Sequence, residues 1–428
     1  MTQEATQPGR VPVRSRVARA YVRLRDDESF RAAWRAFAWT RIAILVVAVY
    51  AALAAGGAVQ RNAGGYDLPA ITAPLGGFGD VLATPLARWD AVWYLSVAVD
   101  GYDGADSPRH AFFPLYPVVT RGVAMLGGGG AAAVLIASYL VALAAFLAAL
   151  VLLHRLTAFE LGRAAAWPTV LLISVFPASL YFGAPYSESL FLLCSVGAFY
   201  AARRGSWALA GAAAGLASAT RSAGILLLVP LALLYWQQSH RRLGRDALWL
   251  ALAPLGLVVY AAFLAVAYGD PLSFSRVQEF WSRDFAGPLV GAVEGAGAAF
   301  AGARQLLSGS RDTVYFAAAG GDPFRVAGQN VMLFACLCFA VAGAWGVLRR
   351  LPLAYGAYVI AALMLPLSFP VAAQPLMSLP RFVAVLFPIF MWLGAVTARR
   401  GSVDRVAVVF AVLLGLFVTQ YATWQWVA

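Results

Sequence analysis

Apolar runs of roughly twenty residues recur along most of this chain, divided by short polar or basic breaks, and a run of that length is what an α-helix needs to cross a hydrocarbon core of about 30 Å. Read this way, the spans fall at 36–58, 130–153, 165–183, 186–202, 206–219, 223–236, 246–268, 328–348, 353–370, 380–397 and 404–422, about eleven crossings. The pair 206–219 and 223–236 is short for a full crossing and reads as two tilted helices meeting at a break within the membrane. Residues 111–127 open on Phe112-Phe113-Pro114-Leu115-Tyr116-Pro117, carry Arg121 and run into four glycines, Gly127 to Gly130. They read as a re-entrant or interfacial helix.

Charge orders the breaks. Basic clusters stand at His154-Arg155 with Arg163, Arg203-Arg204, His240 to Arg245, Arg349-Arg350 and Arg399 to Arg405, and the positive-inside rule assigns all of them to the cytoplasm. The stretch 1–35 joins them with Arg10, Arg14, Arg16, Arg19, Arg23, Arg25, Arg31 and Arg35, a tail suited to an anionic lipid surface. The first span comes too late and runs too long for a cleaved signal, so it reads as retained. Two long loops, 59–110 and 269–327, then face the other compartment, together with Tyr186-Ser187-Glu188, Thr220-Arg221-Ser222 and Gln374 to Arg381. The expected organisation is a cytoplasmic basic tail over 1–35 and one all-α, polytopic domain over 36–428 in the plasma membrane, with its polar site on the extracytoplasmic face.

Composition sharpens this picture. The chain of 428 residues is 61% hydrophobic and 12% charged, about half the charge of a soluble domain. All 32 basic residues are arginine, a usage that fits a GC-rich bacterial genome. The net charge of +12 sits between spans on one side, so it calls for no nucleic-acid partner. Cys194, Cys336 and Cys338 fall inside apolar runs and read as packing residues rather than as a disulfide framework or a metal site. The three histidines do not cluster, which leaves no zinc or catalytic-triad constellation.

The candidate chemistry is confined to the outer face. Arg88-Trp89-Asp90-Ala91-Val92-Trp93-Tyr94 sets a carboxylate between tryptophans. Thr84-Pro85 is a helix start, with a hydroxyl cap and proline at the first position, and predicts a helix to about Val99 that stops at Gly101. Trp89, Val92, Trp93, Ser96 and Val99 would share one face of a helix lying along the membrane surface. Asp90 is then either a dipole-stabilised carboxylate or a general base at a lipid-linked headgroup. Asp100, Asp103 and Asp106 follow in a glycine-containing turn, as solvated turn-formers, with a metal role for Asp100 and Asp103 left open. Ser187 caps the next helix and Glu188 occupies its first turn. A carboxylate there is costly unless paired or wet, which equally fits a functional role. Arg221 and Arg381 are candidates for a phosphate, since guanidinium binds phosphate through paired charge-assisted bonds; the simpler reading of both is snorkelling to the interface. The segment from Gly269 to Phe274, continuing to Gln278, Glu279, Trp281 and Arg283, reads as an acceptor-cleft lip or an aromatic belt.

Three ordered blocks carry a resemblance. Arg88-Trp89-Asp90-Ala91 with Gly101-Tyr102 and Ala111-Phe112-Phe113-Pro114 resembles the first luminal loop of the GPI mannosyltransferase 2 (PIG-V) family. Phe176-Pro177-Ala178-Ser179 leading into Tyr186-Ser187-Glu188-Ser189-Leu190-Phe191 is similar to a second block, and Gly215 to Ser222 to a third. Gly269-Asp270-Pro271 and Arg381-Phe382 with Pro388 are loosely similar. The resemblance implies a glycosyltransferase C (GT-C) fold, a polyprenyl-phosphate sugar donor, and an essential acid in the first outer loop, which aligns with Asp90. The family has an acidic residue near the position of Val99, and Asp100 lies one step on. A bacterial member lacks a GPI acceptor and must use another.

Together these expectations describe a mannosyltransferase. Asp90 deprotonates an acceptor hydroxyl, Arg221 and Arg381 meet the departing phosphate, and in-line attack inverts the anomeric centre. Arg88, Trp89, Trp93, Asp100, Tyr186 and Glu188 complete the expected substrate contacts. The acceptor is lipid-linked or a glycan, membrane lipid is the other partner, and no cofactor is called for. A lipid or small-solute transporter is the rival, because paired broken helices also mark transport sites; a non-catalytic scaffold is the third reading.

Overall fold

The computed structural model describes residues 27–55, 67–239, 244–309, 311, 322–372 and 374–427. The expected tail arginines Arg10 to Arg25, Arg61, and the 240–243 part of one basic cluster lie outside the described residues. Helices dominate: α1 (Glu28–Ala54), α2 (Ala91–Asp100), α3 (Leu115–Ala124), α4 (Ala131–Leu161), α5 (Arg163–Val175), α6 (Glu188–Arg203), α7 (Trp207–Thr220), α8 (Leu228–Gln238), α9 (Leu255–Tyr268), α10 (Val290–Ser308), α11 (Pro323–Arg350), α12 (Leu353–Leu367), α13 (Leu379–Ala384), α14 (Phe387–Arg400) and α15 (Val403–Ala422). Among the described residues there is no strand, only an isolated antiparallel bridge between Arg283 and Val371.

Each apolar run expected to span the membrane holds helix. Four helices, α1, α4, α11 and α15, are long and apolar enough to cross, and a fifth span arises if the turn Arg245–Leu252 and α9, bent by 44°, count as one. The helices in the other runs are shorter or interrupted, so helix length alone supports fewer crossings than the hydropathy pattern. The interruptions have local causes. Pro177 opens a tight turn after α5, Pro254 divides Arg245–Leu252 from α9, and Pro388 restarts the chain at α14. Proline at these points removes a backbone donor and clashes with the preceding turn. α3 is roughly 15 Å long, too short to cross, in keeping with the re-entrant or interfacial reading of 111–127.

Two expectations change. The helix expected from Thr84 starts only at Ala91, because Thr84–Leu86 closes as a single 3₁₀ turn and Trp89 adopts a left-handed backbone at φ 58°. Asp90 therefore sits at the N-cap position instead of inside the first turns. The face containing Val92 and Ser96 is buried in protein, against α3 and α4, rather than lying open to lipid. The loop 269–327 also contains α10, a 19-residue helix. Its Gly291, Gly295, Ala298, Ala299 and Gly302 are buried, and glycine lets the backbones touch: a Cβ on Gly302 would lie 2.6 Å from the Ala327 carbonyl of α11.

The core is a layered helical pack in which α4 lies against α5 and α6, α6 against α7, and α14 against α5. Arg41 of α1 is buried in it. Its guanidinium donates to the Ser179 carbonyl at 2.7 Å, the Ser174 carbonyl at 3.1 Å and the Ser179 hydroxyl at 2.7 Å. It thus satisfies backbone groups freed where α5 breaks, a requirement inside a low-dielectric layer. Individual helices separate two chemistries. α11 begins with Arg325 and ends with Arg349 and Arg350, roughly 36 Å apart at 1.5 Å per residue. In α6, Glu188 is at the start and Arg203 at the end. The aromatic and acidic motifs therefore gather at one end of the bundle and the arginine clusters at the other.

Gly394 of α14 faces the backbone of α5, where a Cβ would come within 2.8 Å of the Thr169 nitrogen. Gly394→Leu must push these helices apart, at a cost of about 1–3 kcal/mol or more. Its thermal unfolding temperature in detergent should fall by several degrees; an unchanged transition would contradict this packing.

Candidate active site

Glu188 is the fixed point. Its side chain is fully buried, at the first position of α6, where the helix dipole favours an anion. Two guanidiniums meet its Oε1: Arg221 Nη1 at 2.5 Å and Arg381 Nε at 2.7 Å. The second approach is an ion pair without hydrogen-bond alignment, since Arg381 Nε lacks a properly directed acceptor, and Glu188 Oε2 makes no hydrogen bond. Arg381 also donates through Nη1 to Asp90 Oδ2 at 2.6 Å. The result is an alternating chain, Asp90–Arg381–Glu188–Arg221, that joins residues up to 291 positions apart.

Local backbone features deliver each member. α7 ends at Thr220, whose hydroxyl returns to the Ala217 carbonyl, and Arg221 is extended at φ −158°, ψ 147°. The following turn folds back so tightly that a Cβ on Gly224 would lie 2.2 Å from the Ser218 nitrogen. Arg381 rides in the first turn of α13, opened by Pro380 after Ser378 at φ 69°. Asp90 follows the strained Trp89, a conformation that costs on the order of 1–3 kcal/mol and persists only when its surroundings enforce it. They do: the Arg88 carbonyl accepts from the Tyr421 hydroxyl at 2.7 Å and the Tyr186 hydroxyl at 3.0 Å, while the Trp89 ring packs edge-on to Trp424 and Trp426.

This chain borders a cavity of about 720 Å³. Asp90, Trp89, Arg221 and Arg381 line it, and Asp90 keeps 17% of its side chain exposed. Phe191, Tyr358, Ala362, Leu365 and Leu386 give it an apolar wall. Trp281 and Arg283, from the segment expected as a cleft lip, form another part. Arg325, Gln329, Trp424 and Trp426 also border it, and the sequence pattern does not single them out. The pair of indoles just after the last apolar run is the available signal.

The remaining expected contacts, Arg88, Trp93, Tyr186 and Asp100, are not part of the cavity lining. Trp93 stacks on Phe112 at 6.0 Å and meets Trp281 edge-on at 6.2 Å, backing two lining rings. Arg88 is buried beneath Trp424, its guanidinium 4.6 Å from that ring, and Tyr186 is wholly buried behind Asp90. Asp100 is 57% exposed and 3.7 Å from Arg109, which also pairs with Asp103. Among the described residues, no three His, Cys, Asp or Glu side chains converge as a metal site. Ser187 stands at the cap of α6, but its hydroxyl bonds Tyr94 at 2.7 Å instead of the helix backbone. His110 Nδ1 meets the Ser273 hydroxyl at 2.6 Å and joins the two outer loops; burial holds this imidazole below its ordinary range.

Residues 78–248 match the family model described as mannosyltransferase (PIG-V). Over that stretch the sequence is similar to this family. The matched stretch contains Asp90, Glu188 and Arg221, whereas Arg381 lies beyond it. No curated protein matches. Among solved structures, the chain is similar to the Archaeoglobus fulgidus oligosaccharyltransferase tethered with an acceptor peptide, with 14% identity, a TM-score of 0.44, and coverage of 90% of this chain and 55% of that one. Archaeal AglB from the same organism, in complex with an inhibitory peptide and a dolichol-phosphate, matches with 15% identity, a TM-score of 0.41, and 90% and 55% coverage. The chain spans about half the length of these structures.

Removing one partner of a buried ion pair costs about 3–5 kcal/mol. Glu188→Ala should therefore lower the unfolding temperature sharply. Combined with Arg221→Ala, it should give a coupling energy of roughly 0.5–3 kcal/mol in a double-mutant cycle. Strictly additive losses would mean the pair does not form.

Proposed function

We propose that this protein is a membrane glycosyltransferase of the GT-C type. It moves a mannosyl residue from a polyprenyl-phosphate donor to a lipid-linked or glycan acceptor on the extracytoplasmic face of the plasma membrane. The observation that carries the reading is the placement of Asp90 on the cavity wall, one oxygen held by Arg381 at 2.6 Å. A carboxylate oriented by a fixed cation and facing a substrate-sized cavity suits general-base chemistry. The PIG-V family match supports the sugar class. The apolar wall of Phe191, Tyr358, Ala362 and Leu365 suits a prenyl chain entering from the lipid.

In this mechanism the acceptor hydroxyl lies against the free oxygen of Asp90, which takes its proton. The hydroxyl oxygen forms a bond to the anomeric carbon as the carbon–oxygen bond to phosphate breaks, and the bonding pair leaves on the phosphate. A β-linked donor thus gives an α-linked product. Arg221 and Arg381 each carry five N–H donors, only some of which are used on Glu188 and Asp90, so both retain donors for phosphate oxygens. Trp89 packs beside the reacting centre. Tyr186 and Arg88 hold the strained turn that aims Asp90, and Trp93 backs the cavity's aromatic wall.

Incubating the purified protein with radiolabelled polyprenyl-phosphate mannose and membrane glycolipids should give a labelled glycosidic product. Asp90→Asn should reduce turnover by about 10²–10⁴-fold, the usual contribution of a general base, in a protein that still folds because the amide oxygen can still accept from Arg381. Label that only crosses the bilayer unchanged would establish the transporter reading instead, and full activity in Asp90→Asn would exclude Asp90 as the base.

A further inference from the structure

The charges along the cavity do not cancel. Asp90 and Glu188 are answered by Arg381 and Arg221, so that quartet is neutral as a unit. Arg283 is left over: among the described residues it lies within 4.0 Å of no carboxylate. It shares the ring of Phe382 with the quartet's two cations. The guanidinium carbons of Arg221, Arg283 and Arg381 stand 5.3, 5.9 and 5.9 Å from that ring centre.

Its position is built rather than incidental. Ser282 turns the chain through φ 53°, and Arg283 pairs with Val371 in the isolated bridge. The Ala286 nitrogen donates to the Ser368 carbonyl at 2.9 Å, and Arg283 Nη2 donates to the Ser378 hydroxyl at 3.2 Å. Burial pushes the guanidinium down to about 10, which leaves it charged at neutral pH. Arg325, the other lining cation outside the quartet, is exposed in the first turn of α11.

We infer that Arg283 supplies the uncompensated positive charge that binds the donor's phosphate, beside the hydrogen-bond donors of Arg221 and Arg381, and takes up the charge released when the glycosidic bond breaks. This rests on the glycosyl-transfer reading above. A sugar phosphodiester carries one negative charge, and the departing polyprenyl phosphate gains a second as the bonding pair moves onto its oxygen. The neutral quartet supplies hydrogen-bond donors but no net charge. Arg283 supplies that charge beside Asp90, in the planar, two-pronged geometry that matches phosphate.

The test is calorimetric binding of decaprenyl phosphate, and of decaprenol as the uncharged control, to the full chain in detergent. Wild type should prefer the phosphate. Arg283→Gln should weaken phosphate binding by roughly 10- to 100-fold, as expected for losing a charge-assisted contact. Arg283→Lys should recover part of it through charge alone. Arg276→Gln, which removes a surface ion pair to Asp270 in the same loop, should bind as wild type and shows that the loop is intact. Equal binding by Arg283→Gln and wild type, or a loss that follows Arg325→Gln instead, would overturn the assignment while leaving glycosyl transfer standing. A wild-type protein that does not distinguish phosphate from alcohol would remove the glycosyl-transfer reading itself.

Discussion

A carboxylate with no exposure to water must find cations or it will not remain there as an anion. Glu188 is that group, fully buried at the start of α6 with two guanidiniums on one oxygen. Much of the irregular backbone follows from meeting this demand. α7 stops and the chain runs extended at Arg221 so that its side chain reaches across to α6. α13, a short helix started separately at Leu379, brings Arg381 to the same oxygen. Arg381 in turn reaches Asp90, so the buried acid fixes the position of the partly exposed one.

The surroundings enforce the same arrangement from the other side. Trp89 holds an uncommon left-handed conformation because Tyr186, Tyr421, Trp424 and Trp426 close around residues 88 and 89. Those four side chains come from α15, the segment after it, and the turn before α6, so the aim of Asp90 depends on the whole pack. The basic residues at the far ends of α6, α11 and α14 are kept well away from this site. Arg203 instead pairs with Glu160, which also accepts from the Tyr355 hydroxyl at 2.9 Å. The bundle thus keeps one charged network for the cavity and another for the opposite end.

Much of this was legible in the sequence, for a physical reason: in a chain this apolar, polar residues are rare and each has a purpose. Asp90, Glu188, Arg221 and Arg381 stand out on that ground alone. Their pairing does not, because nothing local links position 90 to position 381. The helix expected from Thr84 fails to form because a cap-and-proline signal cannot reveal that Trp89 turns left-handed under distant contacts. α10 escapes the pattern because Val290-Gly291-Ala292-Val293-Glu294-Gly295-Ala296-Gly297 is rich in small residues and carries an acid. Its glycines serve close packing on α11 rather than flexibility. Arg325, Gln329, Trp424 and Trp426 sit at a helix start or after the last apolar run, where pattern carries little weight.

A structure of the protein with polyprenyl-phosphate mannose bound tests the central claim most directly. The account predicts the phosphate among the guanidiniums around Phe382, the sugar's reacting face toward Asp90, and the Asp90–Arg381–Glu188–Arg221 chain intact. Donor density at the arginine-rich opposite end, or Asp90 parted from Arg381 and turned out of the cavity, would contradict it.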